Sequence, residues 1–139
     1  MNETAAVILA VDDELADLEN LERVLTESGY KVITARAGQE ALDAHAQQGK
    51  FDLLVTDIAM SPMNGRELAH ALLARQEDLR VIFVSGYVGE QALRDDSSFP
   101  GTSFLRKPFA AEDLKRMVRA ALNGHLRRAA GGAGNFEVA

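Results

Sequence analysis

Short apolar runs of strand length alternate with longer segments of helical period along almost the whole chain. Residues 6–11 are too few for a helix and rich in β-branched side chains, as in a strand buried on both faces. Leu15, Leu18, Leu21 and Leu25 then recur at helical spacing, with Glu14, Asp17, Glu19 and Glu22 on other faces, until Gly29 supplies a stop. The same alternation predicts strands over 30–35, 52–56, 81–84 and 102–105 and helices over 39–48, 64–75 and 111–122. The last of these helices is expected to end near Asn123 and Gly124. Between the fourth and fifth strands, residues 88–95 predict a further helix with a thin apolar stripe. Repeated βα units of this size bury their strands in a parallel sheet covered on both faces. The expected fold class is therefore α/β: a single doubly wound, five-stranded parallel sheet. The 139 residues suffice for one core, and no linker divides them. Residues 1–124 are expected to form the domain and 125–139, with Gly131, Gly132 and Gly134, a flexible C-terminal tail.

Composition narrows the chemistry. With no cysteine there is neither a disulfide framework nor a thiolate. The formal net charge of −6 disfavours nucleic acid, which needs a basic face. No apolar run is long enough to span a bilayer, and the Met1 end reads as lacking a leader, so no membrane partner is expected and the location reads as cytoplasmic. The basic residues Arg106, Lys115, Arg116 and Arg119 cluster near the C-terminal end; a solvated helix face is the simplest account of them. His45, His70 and His125 are isolated and read as ordinary surface or half-buried residues.

In doubly wound folds ligands bind beyond the carboxyl ends of the strands. There the sequence places Asp12, Asp13 and Glu14 after the first strand, Asp57 after the third, Ser85 and Gly86 after the fourth, and Lys107 and Pro108 after the fifth. A nucleotide-binding loop would carry Gly, Ser or Thr after the first strand, where backbone N–H groups cradle phosphate. Acids at that position suggest instead a hard divalent cation held by oxygen ligands. Beside such a cation Asp57 is placed to act as a nucleophile toward phosphorus. The charge on a transferring phosphoryl group calls for an ammonium and a hydroxyl, the types supplied by Lys107 and Ser85. Taken singly, each residue has a plainer account: Asp12 or Asp13 could cap the first helix, Asp57 could open a loop, and Ser85, Gly86 and Lys107 could be turn and surface residues.

The segments Val11-Asp12-Asp13-Glu14, Asp57-Ile58-Ala59-Met60-Ser61-Pro62-Met63-Asn64-Gly65, Val84-Ser85-Gly86 and Phe104-Leu105-Arg106-Lys107-Pro108-Phe109 together resemble the receiver domain of bacterial two-component response regulators. The resemblance runs from Ala6 to Leu122. It implies a flavodoxin-like strand order, 2-1-3-4-5, and a phosphorelay role in which Asp57 accepts a phosphoryl group from a phosphohistidine on a sensor histidine kinase or histidine phosphotransfer protein. It further implies Mg²⁺ bound by Asp12, Asp13, Asp57 and the backbone carbonyl of Ala59, and Lys107 on the phosphoryl oxygens, with the Lys107–Pro108 bond cis. Ser85 and Phe104 would act as the switch, altering the face formed by the fourth helix, fifth strand and fifth helix for a downstream protein target. Homodimerisation on phosphorylation is a further expectation. The domain would not be an enzyme beyond self-phosphorylation from small donors and self-dephosphorylation.

The sequence departs from the family pattern at three points. Ser85 stands where threonine is more usual, Phe104 replaces a frequent tyrosine, and Ser61 separates Met60 from Pro62. Because the spacing from Asp57 to Gly65 is kept, an altered loop shape is expected, not a lost site. A stand-alone regulator and the receiver segment of a hybrid histidine kinase both fit. An aspartyl-nucleophile phosphatase fits less well, since Ala59 stands where a second acid would be wanted. A flavodoxin-like binder of flavin or nucleotide is disfavoured by the acidic first loop.

Overall fold

A computed structural model describes residues 5–86 and 102–130, from 124 onward as backbone alone. The elements follow in the order β1 (Val7–Val11), α1 (Leu15–Glu27), β2 (Lys31–Ala35), α2 (Gly38–Gln48), β3 (Leu53–Asp57), α3 (Gly65–Arg75), β4 (Arg80–Ser85), β5 (Ser103–Arg106) and α4 (Ala111–Ala130). The five strands form one parallel sheet in the order β2-β1-β3-β4-β5. The helix predicted over 88–95 lies outside the described residues.

Strand pleating sorts the apolar side chains into two cores. Leu9, Val11, Leu54, Val81 and Phe83 face α2 and α3, where they meet Ala41, Leu42, Leu68 and Leu72. The alternate residues Ile8, Ala10, Leu53, Val55, Ile82 and Val84 face α1 and α4, packing on Leu18, Leu21, Leu25, Leu114 and Val118. The central strands are thus apolar on both faces, which is why they appear in the sequence as unbroken apolar runs.

Helix ends obey local chemistry. Gly29 (φ 97°) and Gly49 (φ 99°) close α1 and α2 in the left-handed region that glycine enters without a Cβ penalty. Asn64 begins α3 with a reciprocal pair: its side chain accepts from the Glu67 N–H at 2.8 Å, and the Glu67 carboxylate accepts from the Asn64 N–H at 3.0 Å. One expectation fails. α4 does not stop near Asn123 and Gly124 but continues to Ala130, across the expected boundary at 124/125. A helical glycine costs only about 1 kcal/mol relative to alanine, and the following Leu-Arg-Arg-Ala-Ala sequence favours helix.

Candidate functional site

The β1–β3 register pairs Val11 with Thr56 at its end, so one further step brings Asp12 alongside Asp57. By the alternation of the pleat both acids fall on the α1/α4 side. Likewise β4 and β5 pair Ser85 with Arg106, and the next step sets Lys107 beside Gly86, where a Cβ added to the glycine would lie 3.7 Å from that of Lys107. The Lys107 N–H donates to the Ser85 carbonyl (2.9 Å), and the Ile58 N–H to that of Val84 (3.1 Å), tying the loops after β5 and β3 to the end of β4. Both the Lys107–Pro108 and the Ser61–Pro62 bonds are cis.

Carboxylate oxygens of Asp12, Asp13 and Asp57 lie within 4.8 Å of one another. Asp12 is wholly buried, Asp57 nearly so, and Asp13 is exposed. Asp12 does not cap α1 in the usual sense: Glu14 holds that position, while Asp12 Oδ1 accepts from the Glu14 N–H at 2.9 Å in the turn that precedes the helix. Lys107 Nζ reaches Asp17 Oδ2 at 2.8 Å, Asp12 Oδ2 at 3.0 Å and Asp57 Oδ1 at 3.5 Å. One ammonium therefore faces three carboxylates.

That imbalance governs the electrostatics. Burial, then the charge of Asp12, pushes the Asp57 carboxyl up to about 6 against the pull of Lys107. Burial also raises Asp12, opposed by the Glu14 N–H and by Lys107. Burial alone would lower Lys107, but its bonds to Asp17 and Asp12 and the charges of Asp12 and Asp57 outweigh it and raise the ammonium. At an effective dielectric near 20, two carboxylates 4.8 Å apart repel by roughly 3.5 kcal/mol. The donor set is all oxygen and lacks nitrogen or sulfur, which fits a hard divalent cation and not zinc.

Ser85 ends β4 and is buried at 2% exposure. Phe104, on β5, is half-buried against the α2/α3 core and stacks on Phe83 with ring centroids 5.7 Å apart. Ala59 is exposed in the loop after Asp57. Ser61 between Met60 and Pro62 leaves the acids together: Met60 is buried, and the Gly65 N–H donates to the Ile58 carbonyl at 2.9 Å, closing the loop onto the end of β3. A cleft of about 440 Å³ opens beside Lys107, bordered by Asp12, Asp17, Asn20, Val84 and Phe109.

Two groups at this end and the opposite end of the sheet have partners that the sequence does not show. Asp17, read from the sequence only as lying off the leucine face of α1, turns toward Lys107, and nothing in the local sequence pairs the two. His45 is not a surface or half-buried residue but is 5% exposed, its Nε2 bonded at 2.9 Å to Gln76 Oε1. Gln76 also accepts from the Phe51 N–H (3.1 Å) and donates to the Phe51 carbonyl (2.7 Å), at the sheet edge opposite the acids. Nothing in the local sequence pairs residues 45 and 76.

A family model described as the response regulator receiver domain matches residues 8–119. The sensor kinase CckA of Brucella abortus is 34% identical over 119 residues, which are 85% of this chain and 13% of that protein. The response regulator MprA of Mycobacterium leprae is 37% identical over 117 residues, 83% of this chain and 50% of that protein. The chain thus spans half or less of the length of these curated relatives. Among solved structures, a CheX–CheY complex with BeF₃ and Mg²⁺ from Borrelia burgdorferi superposes with a TM-score of 0.74 at 26% identity, covering 83% of this chain and 87% of that one. No helix among the described residues is long and apolar enough to cross a membrane.

Proposed function

The chain belongs to the response regulator receiver domain family of two-component signalling, and from that premise we propose that Asp57 is its phosphoryl-accepting residue. The observation that carries this is the convergence at one sheet edge of Asp57, two further carboxylates within 4.8 Å and the Lys107 ammonium at 3.5 Å. A carboxylate oxygen of Asp57 forms a bond to phosphorus as the P–N bond of a phosphohistidine breaks, the electron pair leaving on the imidazole nitrogen. The product is an acyl phosphate, which water returns to carboxylate and inorganic phosphate. The domain is a phosphoacceptor whose own chemistry is limited to this uptake, from small donors as well, and to its hydrolysis.

Asp12, Asp13, Asp57 and the carbonyl of Ala59 would hold Mg²⁺, which when bound supplies positive charge against the clustered carboxylates and the incoming phosphoryl oxygens. A relative in complex with BeF₃ and Mg²⁺ supports that choice. Lys107 contacts phosphoryl oxygens, Ser85 donates its hydroxyl to them, and Phe104 shifts against Phe83 as Ser85 moves. The output is read by a downstream protein target on the side of β5 and α4. The donor is a sensor histidine kinase or histidine phosphotransfer protein, met in the cytoplasm.

The test is intact mass after incubation with acetyl phosphate and Mg²⁺. The wild type is expected to gain one phosphoryl group only with the metal, and Asp57→Ala none. A gain retained by Asp57→Ala, or no gain from either acetyl phosphate or phosphorylated histidine kinases, overturns the proposal.

A further inference from the structure

Lys107 is shared among three acids, one of which lies outside the carboxylate cluster. Its ammonium has three N–H donors, and the short contacts go to Asp17 at 2.8 Å and Asp12 at 3.0 Å, with Asp57 farthest at 3.5 Å. Asp12 is buried, holds the Glu14 N–H and belongs to the carboxylate cluster. Asp17 stands outside that cluster, in the first turn of α1, with its side chain 46% exposed. It is one wall of the cleft that opens beside the ammonium.

We propose that Asp17 is a positioning residue that draws Lys107 away from Asp57 and so slows phosphorylation. This rests on the reading of Asp57 as the phosphoacceptor. Asp17 and Asp12 hold two of the ammonium's three N–H donors, and to close on the oxygens of a phosphoryl group at Asp57 it must move away from them. The partner easiest to release is Asp17, which is half exposed and can be rehydrated where buried Asp12 cannot. A move of the ammonium toward Asp57 therefore carries the cost of weakening its charge-assisted hydrogen bond to Asp17, moderated by solvent at its outer end. Without the Asp17 charge, Lys107 stays with Asp12 and Asp57 and is already near its working position.

The experiment follows phosphoryl uptake from acetyl phosphate and Mg²⁺ by intact mass over time in the full chain. Asp17→Asn is expected to take up phosphate about two- to fivefold faster than wild type, the range of a partly exposed ion pair. Glu22→Gln removes the same charge from an exposed position of α1 and is expected to keep the wild-type rate. In a Lys107→Gln background, Asp17→Asn is expected to change nothing, because its route of action is gone. An unchanged or slower Asp17→Asn, or an equal gain in the Lys107→Gln background or with Glu22→Gln, overturns the proposal while wild-type uptake stands. No uptake by any chain, wild type included, strikes the reading of Asp57 and this inference with it.

Discussion

Replacing Asp57 with asparagine keeps the shape of the side chain and deletes one charge from a crowded group. The carboxyl is raised from 3.8 to about 6, so the folded protein holds a proton there more tightly than the unfolded chain does. Well below pH 3.8 both states are protonated and the residue costs nothing. As pH rises from about 4 to about 6, the unfolded chain ionises first and the fold loses stability, with the full loss reached above pH 6. Two units at about 1.36 kcal/mol each put the ceiling near 3 kcal/mol, with the attraction of Lys107 already included. Some repulsion persists in a compact unfolded chain, so Asp57→Asn is expected to gain about 1–3 kcal/mol at pH 7.5 in a chelator. At about 4 °C per kcal/mol, that is a rise in Tm of roughly 4–12 °C. Thermal melts of both proteins from pH 3.5 to 8, with EDTA and with excess Mg²⁺, make the comparison. The gain should vanish near pH 3.5, and Mg²⁺ should stabilise the wild type more than the variant. Equal or lower stability of Asp57→Asn at pH 7.5 in EDTA would show that the clustered acids are not strained, removing the physical argument for a cation among them.

Gly65→Ala would set a Cβ against the Asp57 carbonyl oxygen and 3.0 Å from the Ile58 Cα. These are backbone atoms that cannot turn aside, so a destabilisation of about 1–3 kcal/mol in urea unfolding is expected, together with slower phosphoryl uptake. Wild-type values for both would refute the close approach of α3 to the end of β3. Gln76→Ala leaves the Phe51 N–H, the Phe51 carbonyl and the His45 ring nitrogen without this buried partner, for an expected loss of about 2–4 kcal/mol in the same assay. Since Gln76 lies at the far edge of the sheet, phosphoryl uptake should be unchanged; a loss under 0.5 kcal/mol would argue against the network.

The division between what the chain reveals in one dimension and what it reveals only when folded follows from the range of the forces involved. Element type is local. An apolar run such as Ile8-Leu9-Ala10-Val11 and a leucine spacing such as Leu18, Leu21 and Leu25 each reflect one backbone period, so strands, helices and the parallel sheet were legible. The candidate site was legible too, because a parallel sheet sends the residue after every strand to the same edge, whatever the strand order. α4 runs past the stop that Asn123 and Gly124 suggest because a glycine penalty of about 1 kcal/mol is small beside the favourable residues after it. Partnerships across the fold belong to the tertiary structure. Residues 17 and 107, or 45 and 76, meet because particular helices pack beside particular strands, and nothing within a few residues of either partner records the other. The sequence by itself determined that acids, a hydroxyl and an ammonium share one edge of a parallel sheet. Only packing decided that the ammonium lies closest to Asp17 and that burial leaves Asp57 reluctant to ionise, since distance and desolvation are properties of the assembled chain.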